Sequence, residues 1–142
     1  MNDNINYKLQ ASNDKQYQNN KNQKLKQYDL EDRTLRYAKR VNEYARNLPK
    51  SLTNIENGKQ LVRAAGSVGA NYIEANEALS KKDFLMRIKI SRKEAKESRY
   101  WLYLTNPIKE FINQKQALIK EATELTKIFS AILIKSQASS TK

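Results

Sequence analysis

The 142-residue sequence has no cysteine, no histidine, three glycines and two prolines. Without cysteine there is neither a disulfide framework nor a thiolate nucleophile. Without histidine, the commonest general base and the commonest nitrogen ligand for a metal are missing. So little Gly and Pro cannot supply the tight turns of an all-β fold. No apolar run approaches the ~20 residues that cross a bilayer, and the N-terminus is polar rather than signal-like. Together these absences predict a soluble, cytoplasmic, all-helical protein that is not an enzyme, holds no cofactor or metal, and does not enter a membrane.

What the chain has in quantity is positive charge: 27 Lys and Arg against 15 Asp and Glu, a net +12. The excess is uneven. Residues 81–106 carry eight cations and three anions, whereas residues 49–80 carry three of each. A basic excess of this size attracts polyanions, nucleic acid first.

Periodicity and punctuation divide the chain into four helices. Residues 1–28 are rich in Asn, Gln and Lys with scattered apolar residues of no period, and are expected to form a disordered or weakly helical tail. Helix 1 is expected to begin near Asp29, with Asp29, Glu31 and Asp32 at the positive end of its dipole. Tyr37, Ala38, Val41, Tyr44, Ala45 and Leu48 form its buried stripe, and Pro49 ends it. Ser51 then caps helix 2, with a capping-box spacing at Thr53 and Glu56, and that helix is expected to reach Leu79. Ser80, three residues before Asp83, caps helix 3, which runs to about Thr105 before the Asn106-Pro107 turn. Helix 4 carries Leu118, Ala122, Leu125, Ile128, Phe129, Ile132 and Leu133, then fades into a polar tail at 137–142. Short connections make antiparallel neighbours, so residues 29–136 are expected to form an up-down-up-down four-helix bundle.

The centre of helix 2, Ala64-Ala65-Gly66-Ser67-Val68-Gly69-Ala70-Asn71, is small-residue rich. Glycine costs about 1 kcal/mol relative to alanine in a helix, so Gly58, Gly66 and Gly69 require a packing reason. They fall near one stripe with Ile55, Val62, Ala65 and Ile73, which predicts a close helix contact that leucine at Gly66 or Gly69 would force apart. Helix 3 offers the partner stripe Phe84, Ile88, Ser91, Ala95, Ser98 and Leu102. Gly66-Ser67-Val68-Gly69 has the spacing of a KH-domain loop, but it lies inside a helical repeat. Glu74, Glu94 and Glu97 invite a di-iron reading, which wants Glu-x-x-His pairs that this chain does not have.

Helix 3 carries the two candidate surfaces. On one flank Lys89, Arg92, Lys93, Lys96, Arg99, Tyr100 and Tyr103 form a ribbon of cations and phenols, suited to a phosphate backbone and to unpaired bases. A merely solvated basic face is the competing reading. On the other flank Met86, Ile90, Glu94, Glu97 and Trp101 predict a subunit contact, with Arg63 or Arg87 of a neighbouring copy answering the glutamates, against the competing reading that Trp101 covers the end of the bundle.

Three segments, Asn71-Tyr72-Ile73-Glu74-Ala75-Asn76-Glu77-Ala78, Ser80-Lys81-Lys82-Asp83-Phe84 and Glu94-Ala95-Lys96-Glu97-Ser98-Arg99-Tyr100-Trp101-Leu102, carry a family resemblance. Over roughly Leu35 to Ile134 the chain resembles the four-helix-bundle proteins encoded in intervening sequences of bacterial 23S ribosomal RNA genes. The resemblance implies a four-helix bundle, a ring-shaped homopentamer and no catalytic motif. Similar proteins serve as accessory factors in diversity-generating retroelements, where a basic ring binds nucleic acid and a reverse transcriptase. Two functions are therefore expected to compete: a homo-oligomeric accessory protein that binds RNA or DNA through helix 3, and a ring-shaped scaffold for a protein partner whose charge is incidental.

Overall fold

A computed structural model describes residues 3–138. Four helices follow one another in order: α1 (Asp3–Arg46), α2 (Leu52–Asn76), α3 (Lys81–Leu104) and α4 (Ile112–Ala138), with a 3-10 turn at Lys109–Phe111 before α4. The chain divides at Asp32/Arg33 into two compact units, Met1–Asp32 and Arg33–Lys142. The second unit holds the bundle.

Helix 1 does not begin near Asp29. The structure runs α1 from Asp3, so the segment expected as a tail is helical over residues 3–28. No Gly or Pro occurs before Pro49, so nothing in this stretch interrupts a helix. Tyr17, within it, is exposed. At the other end α4 continues to Ala138, past the expected start of the C-terminal tail, and residues 139–142 lie outside the described residues.

The helix boundaries of the bundle follow from local chemistry. Ser51 accepts the Asn54 N–H and Ser80 accepts the Asp83 N–H, each at 3.1 Å, satisfying donors that a helix start leaves open. The cap falls at Ser51 itself, so the Thr53/Glu56 box is not used. α2 stops at Asn76, leaving Leu79 in the turn and fully exposed.

One buried asparagine ties two turns together. The Asn54 side-chain amide donates to the carbonyls of Pro49 and Asn106, both at 2.9 Å, and its oxygen accepts the Asn106 N–H at 2.9 Å. The α1–α2 and α3–α4 turns therefore lie at one end of an antiparallel bundle.

Inside, Tyr37, Val41 and Tyr44 of α1, Ile88, Ala95 and Leu102 of α3 and Leu118, Leu125 and Phe129 of α4 are all buried. Two tyrosine hydroxyls cross this core. Ser98 and Thr105 spend their own protons on the carbonyls of Ala95 and Leu102. Tyr37 and Tyr44 must therefore be the donors to Ser98 and Thr105, at 2.7 and 2.8 Å. Desolvation pushes the Tyr37 hydroxyl up to about 12 and raises that of Tyr44. Arg33 clasps α1 to α4 by donating to both Glu121 and Glu124.

The register of α2 differs from the expected one. Its buried face is Gly58, Leu61, Ala64, Ala65, Val68, Tyr72 and Ala75, whereas Ile55, Val62 and Ile73 are exposed. The glycines separate accordingly. A Cβ on Gly69 would lie 2.9 Å from Thr34 Oγ1, so α1 and α2 approach closely there. A Cβ on Gly66 would meet nothing within 4 Å. The close partner of Gly69 is α1 rather than α3. The small residues of α3 serve differently, with the Ser91 hydroxyl donating to the Val68 carbonyl at 3.0 Å.

Candidate nucleic-acid interface

α3 is held in place by its inward stripe of Ile88, Ser91, Ala95, Ser98 and Leu102, which fixes what its other faces present. The basic ribbon predicted from the sequence splits into two kinds of cation. Arg92 and Arg99 lean onto α4 and are half-buried, donating to the Ser130 hydroxyl at 3.5 Å and to the Thr123 hydroxyl at 3.1 Å. Lys89, Lys93 and Lys96 are exposed and make no ion pair or hydrogen bond among the described residues. Their 3- and 4-residue spacing stacks them in one row, about 4.5 and 6 Å apart along the axis. On α4, Lys120 and Lys127 sit three residues before Thr123 and Ser130 and are also exposed. The sequence reading missed these two because their side of α4 is set by where Arg92 and Arg99 bind.

The row ends in aromatics. Tyr100 is 56% and Tyr103 60% exposed. The Tyr100 ring packs edge-to-face on Trp101, with centroids 5.0 Å apart and planes at 72°. Within α3 the two glutamates lie on the other flank, and Asp83 of the first turn borders the same shallow surface as Lys89 and Lys93 without pairing to either.

That other flank is occupied inside the chain. Arg63 of α2 reaches Glu94 at 3.4 Å and also pairs with Glu97. Glu97 accepts in addition the Trp101 indole N–H at 3.2 Å. Arg87 donates to the Asn71 side chain instead. The glutamates expected to need a neighbouring copy are thus answered by Arg63 of the same chain. Of the five residues placed on this flank, Met86 is exposed, Ile90, Glu97 and Trp101 are half-buried, and Glu94 is buried. Glu74, by contrast, is exposed on α2, and among the described residues no cluster of acidic groups comes together to hold a metal. No described helix is long and apolar enough to cross a membrane.

The outward side of α2 is the apolar surface that sequence reasoning placed in the core. Ile55, Val62 and Ile73 lie on one stripe with the open Gly66, and a groove lined by Ala45, Leu48, Ile55, Gly58 and Val62 runs between α1 and α2.

Comparison with known proteins agrees with this architecture. The family described as 23S rRNA-intervening sequence protein matches residues 26–131. A Bacteroides thetaiotaomicron protein of unknown function from the S23 ribosomal protein family, known from its crystal structure, superposes with a TM-score of 0.62 at 29% sequence identity. The match covers 76% of this chain and 97% of that one. No curated protein matches the chain.

Proposed function

The chain belongs to the 23S rRNA-intervening sequence protein family, and we propose that it is a non-enzymatic binding protein that takes the phosphate backbone of RNA or DNA on the outward face of α3. The observation that carries this reading is the row Lys89, Lys93 and Lys96, three exposed ammonium groups with no partner among the described residues. Arg92 and Arg99, pinned by α4, and Lys120 and Lys127 widen the row into a surface. Each phosphate neutralised by such a surface releases a condensed counterion, so affinity must fall as salt rises. The triple change Lys89→Ala, Lys93→Ala, Lys96→Ala is expected to weaken binding to a structured RNA. It should also flatten the slope of log affinity against log salt by about 2–3. An unchanged affinity and slope in the triple variant would remove α3 from the contact and leave the protein-scaffold reading in its place.

Self-association belongs to the same proposal. A copy carrying a net charge of +12 is repelled by another wherever lysines face outward. Residues 49–80 balance three cations with three anions and expose Ile55, Val62 and Ile73. This makes α2 a better face for a second copy than the flank of α3, whose glutamates are already paired. The change Val62→Asp with Ile73→Asp is expected to lower the mass in light scattering toward the 16.5 kDa monomer. A wild-type protein that is already monomeric at micromolar concentration would end the oligomer proposal.

A further inference from the structure

At the C-terminal end of α3 the lysine row gives way to a cleft of about 450 Å³ between this helix and the start of α4. Its lining is apolar at Tyr103, Pro107, Ile112 and Ile119 and polar at Asn106, Lys115 and Gln116. The walls are fixed from behind. The backbone of Asn106 is held on both sides by buried Asn54. Lys115 bridges α4 to the end of α3 by donating to the Thr105 carbonyl at 2.8 Å. A mostly apolar concavity with a few amides, built on a pinned turn, is the shape that holds a small planar ring.

The electrostatics along α3 have a direction. The middle of the helix carries Lys89, Lys93 and Lys96, where a phosphate is attracted. The C-terminal end carries the negative end of the helix dipole and two exposed phenol rings. Tyr100 is steadied by its edge-to-face contact with Trp101, and Tyr103 forms a wall of the cleft. A strand lying along this helix would meet cations at its middle and aromatic faces at its C-terminal end, the combination used for unpaired bases.

We propose that this cleft takes an unpaired nucleobase, so that α3 selects a single strand or an RNA loop over a fully paired duplex. The proposal rests on the phosphate-binding reading of α3 and adds to it the class of nucleic acid. The base enters against Tyr103, between Pro107 and Ile112, while the phosphates that follow it run back over Lys96 and Lys93. Asn106 and Gln116 can donate to and accept from its edge, which tolerates more than one base.

The test compares a blunt RNA duplex with the same stem closed by an unpaired loop, by fluorescence anisotropy at one salt concentration. The wild-type protein is expected to prefer the looped stem by roughly tenfold, the size of one base stacked on an aromatic ring. Tyr103→Ala should bring the ratio of the two affinities close to one, and Tyr103→Trp should keep it high. A 2-aminopurine placed in the loop should be quenched on binding to the wild type and not to Tyr103→Ala. Equal affinity of the wild type for both ligands overturns the base cleft while leaving the lysine row intact. Strong preference retained in Tyr103→Ala overturns it as well, and failure to bind either ligand overturns the row and the cleft together.

Discussion

On the side of α3 that faces α2, Glu94 and Glu97 are answered by Arg63 and the Trp101 indole by Glu97. On the outward side Lys89, Lys93 and Lys96 have no such partners among the described residues. α2 repeats the contrast without charge, with Gly69 pressed on Thr34 and Gly66 open. Charged and small residues therefore serve the fold where a neighbouring helix meets them and stay open to solvent where none does. The lysine row keeps its hydration, because solvent covers it. The glutamates, taken partly out of water, need Arg63 to offset the loss of hydration.

This contrast can be broken by substitution. The largest effect on stability is expected from Arg63→Ala, which leaves two carboxylates partly desolvated without a counter-charge. Because Arg63 is itself about half exposed, the loss is set below that of a fully buried pair, at about 1–3 kcal/mol by denaturant unfolding. A loss under about 0.5 kcal/mol would class this flank with ordinary surface pairs. Next comes Gly69→Ala. The clash with Thr34 is expected to outweigh the gain in helix propensity and to destabilise by about 1–2 kcal/mol. Thermal melting at or above wild type would show that α1 yields at no cost.

Two smaller effects sharpen the contrast. Tyr37 ionises near 10 in the unfolded chain and is pushed up to about 12 in the fold. Its contribution is complete below pH 10 and is lost as pH rises through 12, because in that window the unfolded chain binds fewer protons. At pH 11 this amounts to about 1 kcal/mol. Urea midpoints at pH 9 and 11 should therefore fall more in the wild type than in Tyr37→Phe, and equal falls would contradict the buried position of the hydroxyl. Gly66→Ala is expected to stabilise by about 0.5–1 kcal/mol, since the added methyl meets nothing and the helix gains propensity. A lower melting temperature in that variant would place Gly66 in a contact.

Much of this fold can be read from residues that act locally. Ser51, Pro49, Ser80 and Asn106-Pro107 mark helix ends because a cap or a missing N–H works within one turn. The stripes of α1, α3 and α4 were equally legible, since Tyr37, Ser91, Ser98 and Phe129 each lie on the only strong apolar face of their helix. α2 has two such faces, roughly a third of a turn apart. Hydrophobicity favours the one with Ile55, Val62 and Ile73, whereas packing uses the one with Leu61, Ala64, Ala65, Val68 and Tyr72, beside which Gly69 lets α1 come close. The start of α1 was missed because polar composition speaks to burial and not to backbone shape. On the candidate site, the cations of α3 were legible as a row. Their division into pinned Arg92 and Arg99 and open lysines was not, nor was the pairing of Arg63 with Glu94, because both depend on residues far away in the chain.

The most direct test measures RNA affinity and unfolding free energy on the same two proteins, Arg63→Ala and the triple variant Lys89→Ala, Lys93→Ala, Lys96→Ala. If the outward face of α3 is the binding surface, the lysine variant loses affinity and salt dependence while its stability stays within about 0.5 kcal/mol of wild type. Arg63→Ala then does the reverse, losing stability and keeping its salt slope at a temperature where it is folded. A lysine variant that binds as wild type does, or an Arg63→Ala protein that loses binding while folded, would contradict the account.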